Sequence, residues 1–259
     1  MIGYLDRFRQ NLPRDQPVRG SLQFGKEVLV IGWEIAIFAV HRDELIAHLI
    51  AVFSGLLRDV FGVLAVFRDP LALGADFSVA SDTKSMTGHS DLLLGHVAVR
   101  DLELRAQIDQ WRTLTGAALG PMEAWLALRS IATLPLRLER SCENAQRIAE
   151  FLTTRKEVVA VFYPGLPNHP GHAIAKKQMR YFGAVLSFIL SDKSAAETFL
   201  SRSKLLTEAT SFGGVSTTAE RRARWGGDAI AEGFIRMSVG CEAVEDLIED
   251  MTQALGAVR

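Results

Sequence analysis

The spacing of apolar residues is most regular in the second half of the chain. From Pro121 onward, apolar side chains recur every three or four residues, which predicts a helix with one buried face. The residues on that face are Ile131, Leu134, Leu138, Cys142, Ala145, Ala149 and Leu152. Pro121 suits a first helical position, whereas Pro135 predicts a kink. The kink marks a predicted domain boundary near residues 135–145.

Beyond this helix, short apolar runs alternate with amphipathic stretches. The apolar runs predict strands at residues 158–163, 185–190 and 234–239, and a helix is predicted at 195–205. A closing amphipathic helix is predicted from Val244, Leu247, Ile248, Met251 and Leu255. This order of elements predicts a small C-terminal α/β domain over residues 141–259.

The first 67 residues have a different character. Residues 1–27 are polar and broken by proline and glycine, which is typical of a surface arm. Residues 28–67 are strongly apolar, but charges beginning with Glu34 interrupt them before the ~20 uncharged residues that a membrane span needs. We therefore predict a buried helix or pair of strands there, with no membrane segment. No secretory signal is evident at the start.

Composition narrows the class of protein. The chain has 259 residues, 48% of them hydrophobic, which is enough for one large or two modest domains. Its 29 basic and 30 acidic residues nearly balance, so nothing predicts a nucleic-acid partner. Two cysteines, Cys142 and Cys241, are too few for a disulfide framework, and we predict that both pack in the core. These features fit a cytoplasmic protein.

We predict structural roles for two histidines and for a cluster of three arginines. His89 and His96 stand at no metal-binding spacing with an acidic or cysteine cluster, so we predict hydrogen-bonded structural histidines and no metal. Arg221, Arg222 and Arg224 predict a solvated basic turn.

The stretch Ala75–Asp91 holds the most informative chemistry. It begins with the alternation of a short buried strand and continues into hydroxyls, a lysine and a Gly-His-Ser turn. A partly desolvated lysine at such a junction can act as an amine nucleophile and form a Schiff base with an aldehyde. Ser81 and Thr83 closely precede Lys84, and their hydroxyls can donate to a phosphate. The alternative is an ordinary surface lysine at a strand end.

This stretch resembles a family signature. The run Ser81-Asp-Thr-Lys-Ser-Met-Thr-Gly-His-Ser-Asp91 is similar to the signature of the pyridoxal-phosphate enzymes of cysteine and methionine metabolism, the trans-sulfuration family. Further similar segments follow in the family's order, namely residues 119–137, 163–172, 211–215 and 233–242. The resemblance covers roughly residues 68–259 and is most like cystathionine γ-lyase.

The resemblance implies roles for individual residues. Lys84 would carry pyridoxal 5'-phosphate and be the catalytic residue, with Ser81 and Thr83 at the cofactor phosphate. Arg236 would bind the substrate carboxylate together with Ser211. Independently of the resemblance, a charge inside the apolar strand around Arg236 must be paired or face a site, so a structural ion pair is its alternative.

Asp59 is the remaining candidate for the cofactor site. It lies 25 residues before Lys84, which is the family spacing for the aspartate that pairs with the pyridine nitrogen. The residues that follow it, Val60 and Phe61, differ from the family's Asn-Thr. A functional and a purely structural aspartate therefore both stay open.

The resemblance also predicts architecture and marks where this chain departs from it. It implies a fold-type-I α/β protein with an incomplete large domain: an atypical or truncated segment at 1–67, a remnant of the cofactor-binding domain at 68–140, and the C-terminal domain at 141–259. Family members are usually about half as long again. Two specificity features also differ, since Thr210 stands where many relatives have glutamate and residues 217–228 replace the usual loop.

The predicted function is that of a pyridoxal-phosphate-dependent carbon–sulfur lyase acting on cystathionine or a similar sulfur amino acid. Cystathionine γ-synthase and β-lyase activities stay open, as does a catalytically impaired chain that serves as a non-catalytic subunit. The family implies a homo-oligomer, a dimer or tetramer, in cysteine and methionine metabolism.

Overall fold

The structure is a computed structural model that describes residues 70–71, 74–226 and 230–258. The predictions for residues 1–67, including those for the apolar segment and for Asp59, lie outside these residues. All the described residues belong to one unit, Gly32–Arg259.

A two-stranded antiparallel hairpin begins the described part. Strand β1 (Phe77–Ser81) pairs with β2 (Gly95–Val99), with Val79 opposite Val97. The long connection between the two strands carries Lys84. Helix α1 (Leu102–Thr115) follows, and the Asp101 side chain caps it by accepting the backbone N–H groups of Glu103 and Leu104.

Two helices occupy the stretch predicted as one kinked helix. Helix α2 (Pro121–Ile131) begins at Pro121 as predicted, and helix α3 (Leu134–Thr153) begins one residue before Pro135. The predicted kink is therefore a complete break. Pro135 has no N–H to donate to the carbonyl four residues earlier, but it is well accommodated in a first helical turn. All seven apolar residues predicted to share a face across this stretch are buried.

A five-stranded sheet forms the centre of the C-terminal part, with strand order β3-β4-β7-β6-β5. The strands are β3 (Val158–Phe162), β4 (Val185–Leu190), β5 (Thr207–Glu208), β6 (Thr218–Arg221) and β7 (Phe234–Ser238). All neighbours are antiparallel except β5 and β6, which are parallel. The helices between and after them are α4 (His172–Gln178), α5 (Lys193–Arg202) and α6 (Val244–Gly256).

Helices α3, α5 and α6 contribute to one hydrophobic core with the sheet. Leu186 and Phe188 of β4 and Ile235 and Met237 of β7 belong to this core and are at most 1% exposed. Because side chains alternate along a strand, Arg236 lies on the opposite face from Ile235 and Met237. The core pattern of β7 thus fixes the side of the sheet on which Arg236 lies.

The sequence predicted β3, β4, β7, α5 and α6 to within three residues, but it missed β5, β6 and α4. Strand β6, Thr-Ala-Glu-Arg, has no apolar alternation, so local pattern could not reveal it. Its pairing with β7 is what makes it a strand. The division at residue 140/141 falls inside α3 and stays a prediction. In the part of the chain that the structure describes, no helix is long and apolar enough to cross a membrane.

Candidate active site

Lys84 lies in a compact turn that directly follows β1. The Lys84 backbone N–H donates to the Ser81 carbonyl over 3.1 Å, and the Gly88 N–H donates to the Lys84 carbonyl over 2.8 Å. Thr83 bonds to Leu94, just before β2, through both its backbone N–H and its hydroxyl. Backbone and side-chain bonds therefore hold the Lys84 turn at both ends.

The turn rests on a buried hydrogen-bonded pair. Asp82 and His96 are 1% and 3% exposed, and their side chains are joined by a 2.7 Å bond from His96 Nδ1 to Asp82 Oδ1. His89 Nδ1 lies 2.5 Å from the Thr87 carbonyl. Both histidines are thus hydrogen-bonded, as predicted, and the described residues contain no cluster of three or more potential metal ligands.

Phe212 brings the Lys84 turn and Arg236 together. Lys84 Nζ lies 5.1 Å from the centroid of the Phe212 ring, and Arg236 Cζ lies 5.2 Å from the same centroid. A cation within about 6 Å of an aromatic centroid is attracted by the ring's quadrupole. Two side chains far apart in sequence therefore share one aromatic contact.

Gly213 allows this approach. An alanine Cβ at position 213 would lie only 2.5 Å from the Ser85 backbone nitrogen, and the backbone φ of Gly213 is +80°. Glycine is the residue that meets both conditions without strain. The Gly213 N–H also donates to the Ser238 hydroxyl on β7 over 2.8 Å, so this segment links the Lys84 turn to the sheet.

Arg236 is held by a buried carboxylate. Its Nη2 lies 2.5 Å from Glu220 Oε1 and 2.6 Å from the Thr210 carbonyl oxygen. Burial lowers the pKa of Arg236, while the negative charge of Glu220 opposes that shift. The ion pair kept open as an alternative for Arg236 is therefore present, and it leaves the guanidinium half-buried rather than enclosed.

Arg137 of α3 binds the Lys84 turn from its other side. Its Nη1 donates to the Ser85 carbonyl over 2.9 Å, and its Nη2 donates to the Met86 carbonyl over 3.0 Å and to the Ser130 carbonyl over 2.9 Å. Burial lowers the pKa of Arg137. Among the described residues no carboxylate pairs with it, so its charge is directed entirely to carbonyl and hydroxyl oxygens.

Replacing Arg137 with methionine is therefore expected to loosen the Lys84 turn. Methionine keeps much of the volume but removes every donor. A hydrogen bond to a charged group contributes a net ~1.5–3 kcal/mol, and water can replace part of this at a partly exposed side chain. We expect a loss of about 2–3 kcal/mol in the free energy of unfolding, measured by urea denaturation. Arg140→Met, an exposed arginine on the same helix, is the control and should leave stability unchanged; equal losses in both variants would contradict the prediction.

The other residues predicted for the site differ in their exposure and in their hydrogen bonds. Ser81 is exposed at the end of β1, and Ser211 is exposed beside Phe212. The Thr83 hydroxyl donates to the Leu94 carbonyl over 3.2 Å, so its proton is not directed at a ligand. The structure brings Lys84, Ser211 and Arg236 to one place, whereas Asp59 lies outside the described residues.

Three residues with major contacts at this site were missed from sequence: Phe212, Glu220 and Arg137. Each of them contacts a residue that is distant in sequence, so local pattern does not identify it. The predicted solvated turn of Arg221, Arg222 and Arg224 is corrected. Arg221, the last residue of β6, is 7% exposed and pairs with Glu232. Arg222 and Arg224 lie in a 3-10 helix (Arg222–Trp225) and pair with Glu220 and Glu208, and of the three only Arg224 is exposed.

Within the described residues, neither cysteine forms a disulfide. Cys142 is 2% exposed, as predicted for a core residue. The prediction of a core position is wrong for Cys241, which is only partly buried and lies outside the core cluster. Its thiol is 3.4 Å from the Arg137 carbonyl oxygen, and burial raises its pKa.

The fold is that of an α/β protein. Its candidate site places the Lys84 amine, at the end of a strand, and the Arg236 guanidinium, on the sheet, against one aromatic ring. A family model for Cys/Met metabolism PLP-dependent enzymes matches residues 59–256. The chain belongs to this family. The match begins at Asp59, earlier than the resemblance at residue 68 suggested.

Individual relatives agree with this assignment. A protein named putative cystathionine gamma-lyase from Streptomyces coelicolor is 56% identical over 186 residues, covering 72% of this chain and 47% of the relative. A cystathionine beta-lyase from Lactococcus lactis subsp. cremoris is 45% identical over 201 residues, covering 73% of this chain and 52% of the relative. The chain therefore spans about half the length of the curated relatives it matches.

Solved structures support the same fold. A cystathionine gamma synthase from Xanthomonas oryzae pv. oryzae, crystallised with aminoacrylate and cysteine, matches with a TM-score of 0.71 and 37% identity. The match covers 74% of this chain and 53% of that structure. The predicted fold-type-I α/β architecture is confirmed over the matched part.

The described residues provide part of a binding site for the family's cofactor, pyridoxal phosphate. The cofactor's aldehyde requires an amine, and none of the described carboxylates forms an ion pair with Lys84 Nζ. Ser81 is exposed, so its hydroxyl is accessible to a phosphate, but the Thr83 hydroxyl can donate to one only by releasing the Leu94 carbonyl. The fit is thus good at the amine and incomplete at the phosphate.

Proposed function

We propose that this chain acts as a pyridoxal-phosphate-dependent carbon–sulfur lyase of sulfur amino acids, with cystathionine or a close analogue as the substrate. The observation that carries the proposal is the placement of the Lys84 ammonium and the Arg236 guanidinium at 5.1 and 5.2 Å from one ring, that of Phe212. A base near a carboxylate-binding cation is what removal of a proton from an amino-acid α-carbon requires.

Bound pyridoxal phosphate would supply an aldehyde that joins amines and a ring that withdraws electrons. Lys84 would hold the cofactor through Nζ in the resting protein. Once a substrate amine takes that position, the freed Nζ can accept the proton from the substrate α-carbon and return a proton to the product. Backbone bonds at both ends of the Lys84 turn hold the backbone from which this amine extends, and Nζ lies over the Phe212 ring.

Arg236 would bind the substrate carboxylate. A guanidinium is planar and always charged, so it pairs well with a carboxylate through parallel N–H donors. The bonds from Arg236 to Glu220 and to the Thr210 carbonyl both use Nη2, which leaves Nη1 to donate to a carboxylate oxygen. Ser211, exposed next to Phe212, is the second candidate for contact with this carboxylate.

The names of the relatives favour γ elimination as the reaction, but they also include β-lyases. The 56% identical relative is named a putative cystathionine gamma-lyase, whereas the 45% identical one is named a cystathionine beta-lyase. β-Lyase, γ-synthase and γ-lyase reactions all need the same amine and carboxylate-binding groups. The leaving group, and hence the reaction, depends on contacts beyond these two residues.

Product analysis with cystathionine tests the proposal. The purified chain would be incubated with millimolar pyridoxal phosphate, because the incomplete phosphate contacts predict weak cofactor binding, and the keto acid would be identified by mass spectrometry. We expect 2-oxobutanoate together with cysteine. Pyruvate would instead indicate a β-lyase, and absence of both, with no visible absorption band, would favour a non-catalytic family member.

The proposal includes a homo-oligomer, a dimer or tetramer, working in the cytoplasm. Exposed apolar side chains on α1 and α2 support association, since a large apolar surface is unusual on a monomer. They include Leu102, Leu114, Met122 and Trp125. Light scattering coupled to size-exclusion chromatography would report a monomer if this part of the proposal is wrong.

A further inference from the structure

Glu220 is a carboxylate with no exposed side-chain surface and three charged or polar donors. Its Oε1 accepts from Arg236 Nη2 over 2.5 Å and from Arg222 Nη1 over 2.8 Å, and its Oε2 accepts from Trp225 Nε1 over 2.9 Å. A buried charge is tolerated when it is paired and hydrogen-bonded in this way. Its position is therefore closely determined by its surroundings.

The sheet sets the geometry between Glu220 and Arg236. The two residues stand directly opposite each other in the antiparallel β6–β7 pair, so their side chains lie on the same face. Glu220 holds the guanidinium at Nη2, where the Thr210 carbonyl also accepts. Neither of these two bonds uses Nη1, so its N–H groups can donate to a carboxylate oxygen.

We propose that Glu220 is a positioning residue that orients Arg236 so that Nη1 meets the substrate carboxylate. The inference rests on the proposed role of Arg236 and adds a residue through which that role is set. Precise orientation matters because a displacement of about 1 Å at a binding group can cost on the order of 100-fold in rate.

A competing role for Glu220 makes the opposite prediction. A carboxylate beside Arg236 also neutralises it, and neutralisation alone would weaken the attraction for an anion. Glu220→Asp keeps the charge but shortens the side chain by one methylene, whereas Glu220→Gln keeps the length and removes the charge. The two variants therefore separate orientation from charge.

The test measures binding rather than turnover. Calorimetry would compare L-2-aminobutyrate with L-2-aminobutyramide, which lacks the carboxylate, on the full chain treated with pyridoxal phosphate. The ratio of the two dissociation constants reports the preference for the carboxylate. We expect Glu220→Asp to reduce this preference at least about tenfold, equivalent to ~1.4 kcal/mol. An unchanged preference in Glu220→Asp, or tighter carboxylate binding in Glu220→Gln, would overturn the inference.

Two further variants allow these outcomes to be interpreted. If the proposed function is right, Arg236→Ala loses the preference for the carboxylate; if that variant keeps the preference, the proposed role of Arg236 is wrong. If Arg236→Ala loses the preference but Glu220→Asp does not, only the inference about Glu220 is wrong. Asp250→Asn is the structural control, because Asp250 is another buried carboxylate, which accepts the N–H groups of Lys204 and Leu205 away from Arg236. It should lower thermal stability and leave the carboxylate preference unchanged.

Discussion

Replacing Lys84 with alanine is expected to abolish the covalent attachment of pyridoxal phosphate to this chain. The Lys84 amine lies in a turn fixed by backbone bonds, over the Phe212 ring, and it forms no ion pair with the described carboxylates. Any lyase activity should fall by at least about 10³-fold, because a positioned general base contributes roughly 10²–10⁴-fold and the cofactor anchor is lost as well.

The measurement is borohydride reduction in the presence of pyridoxal phosphate, followed by peptide mapping. The native chain should carry the reduced pyridoxyl group on the peptide that contains Lys84 and show a visible absorption band before reduction. Lys176→Ala, an exposed lysine on α4, is the matched control and should label like the native chain. Equal labelling of many exposed lysines, with no enrichment at Lys84, would remove this residue from the proposed mechanism.

Gly213→Ala is expected to separate the Lys84 turn from the sheet. The added Cβ would lie 2.5 Å from the Ser85 nitrogen and 3.1 Å from the Lys84 carbonyl carbon, both backbone atoms that cannot rotate away. The φ of +80° adds the cost of a left-handed conformation, about 1–2 kcal/mol for a residue with a Cβ. Together these effects predict a loss of about 2–4 kcal/mol in the free energy of unfolding.

Gly116→Ala separates the two contributions. Gly116 has a similar φ of +69°, but no atom lies within 4 Å of the position that the alanine methyl group would take. It should lose only the conformational cost, about 1 kcal/mol, as measured by urea denaturation of both variants. Gly213→Ala should additionally reduce pyridoxyl labelling of Lys84, which Gly116→Ala should not. Indistinguishable stabilities would mean that the Lys84 turn moves aside at little cost.

Local pattern was sufficient where one face of an element is buried continuously. The residues from Ile131 to Leu152 kept their apolar spacing through the break at Pro135, and all of those predicted to be buried are buried. Strand β4 and the closing helix α6 also have a buried face. In α6 the predicted residues Val244, Leu247, Met251 and Leu255 are buried and Ile248 is partly buried. Burial along one face imposes a period on the sequence, and that period is readable without the structure.

Local pattern failed where a partner distant in sequence decides the conformation. Strand β6 lies in a stretch that reads as a loop, yet pairing with β7 extends it and places Glu220 opposite Arg236. The arginines that follow looked like a solvated turn, but Arg221 is buried against acidic neighbours. The order of charged residues along the chain does not show which acidic side chain each arginine will contact in the folded protein.

By itself the sequence determined the family resemblance, the α/β class and the two charged residues proposed to do chemistry, Lys84 and Arg236. A lysine shortly before a Gly-His-Ser turn and an arginine inside an apolar strand are unusual local patterns. Such patterns can be recognised in the sequence alone. Only the tertiary structure decided that Phe212 lies against both cations, that Gly213 admits the Lys84 turn and that Glu220 holds Arg236. These are contacts between segments far apart along the chain, set by strand register and close packing, and no local period records them.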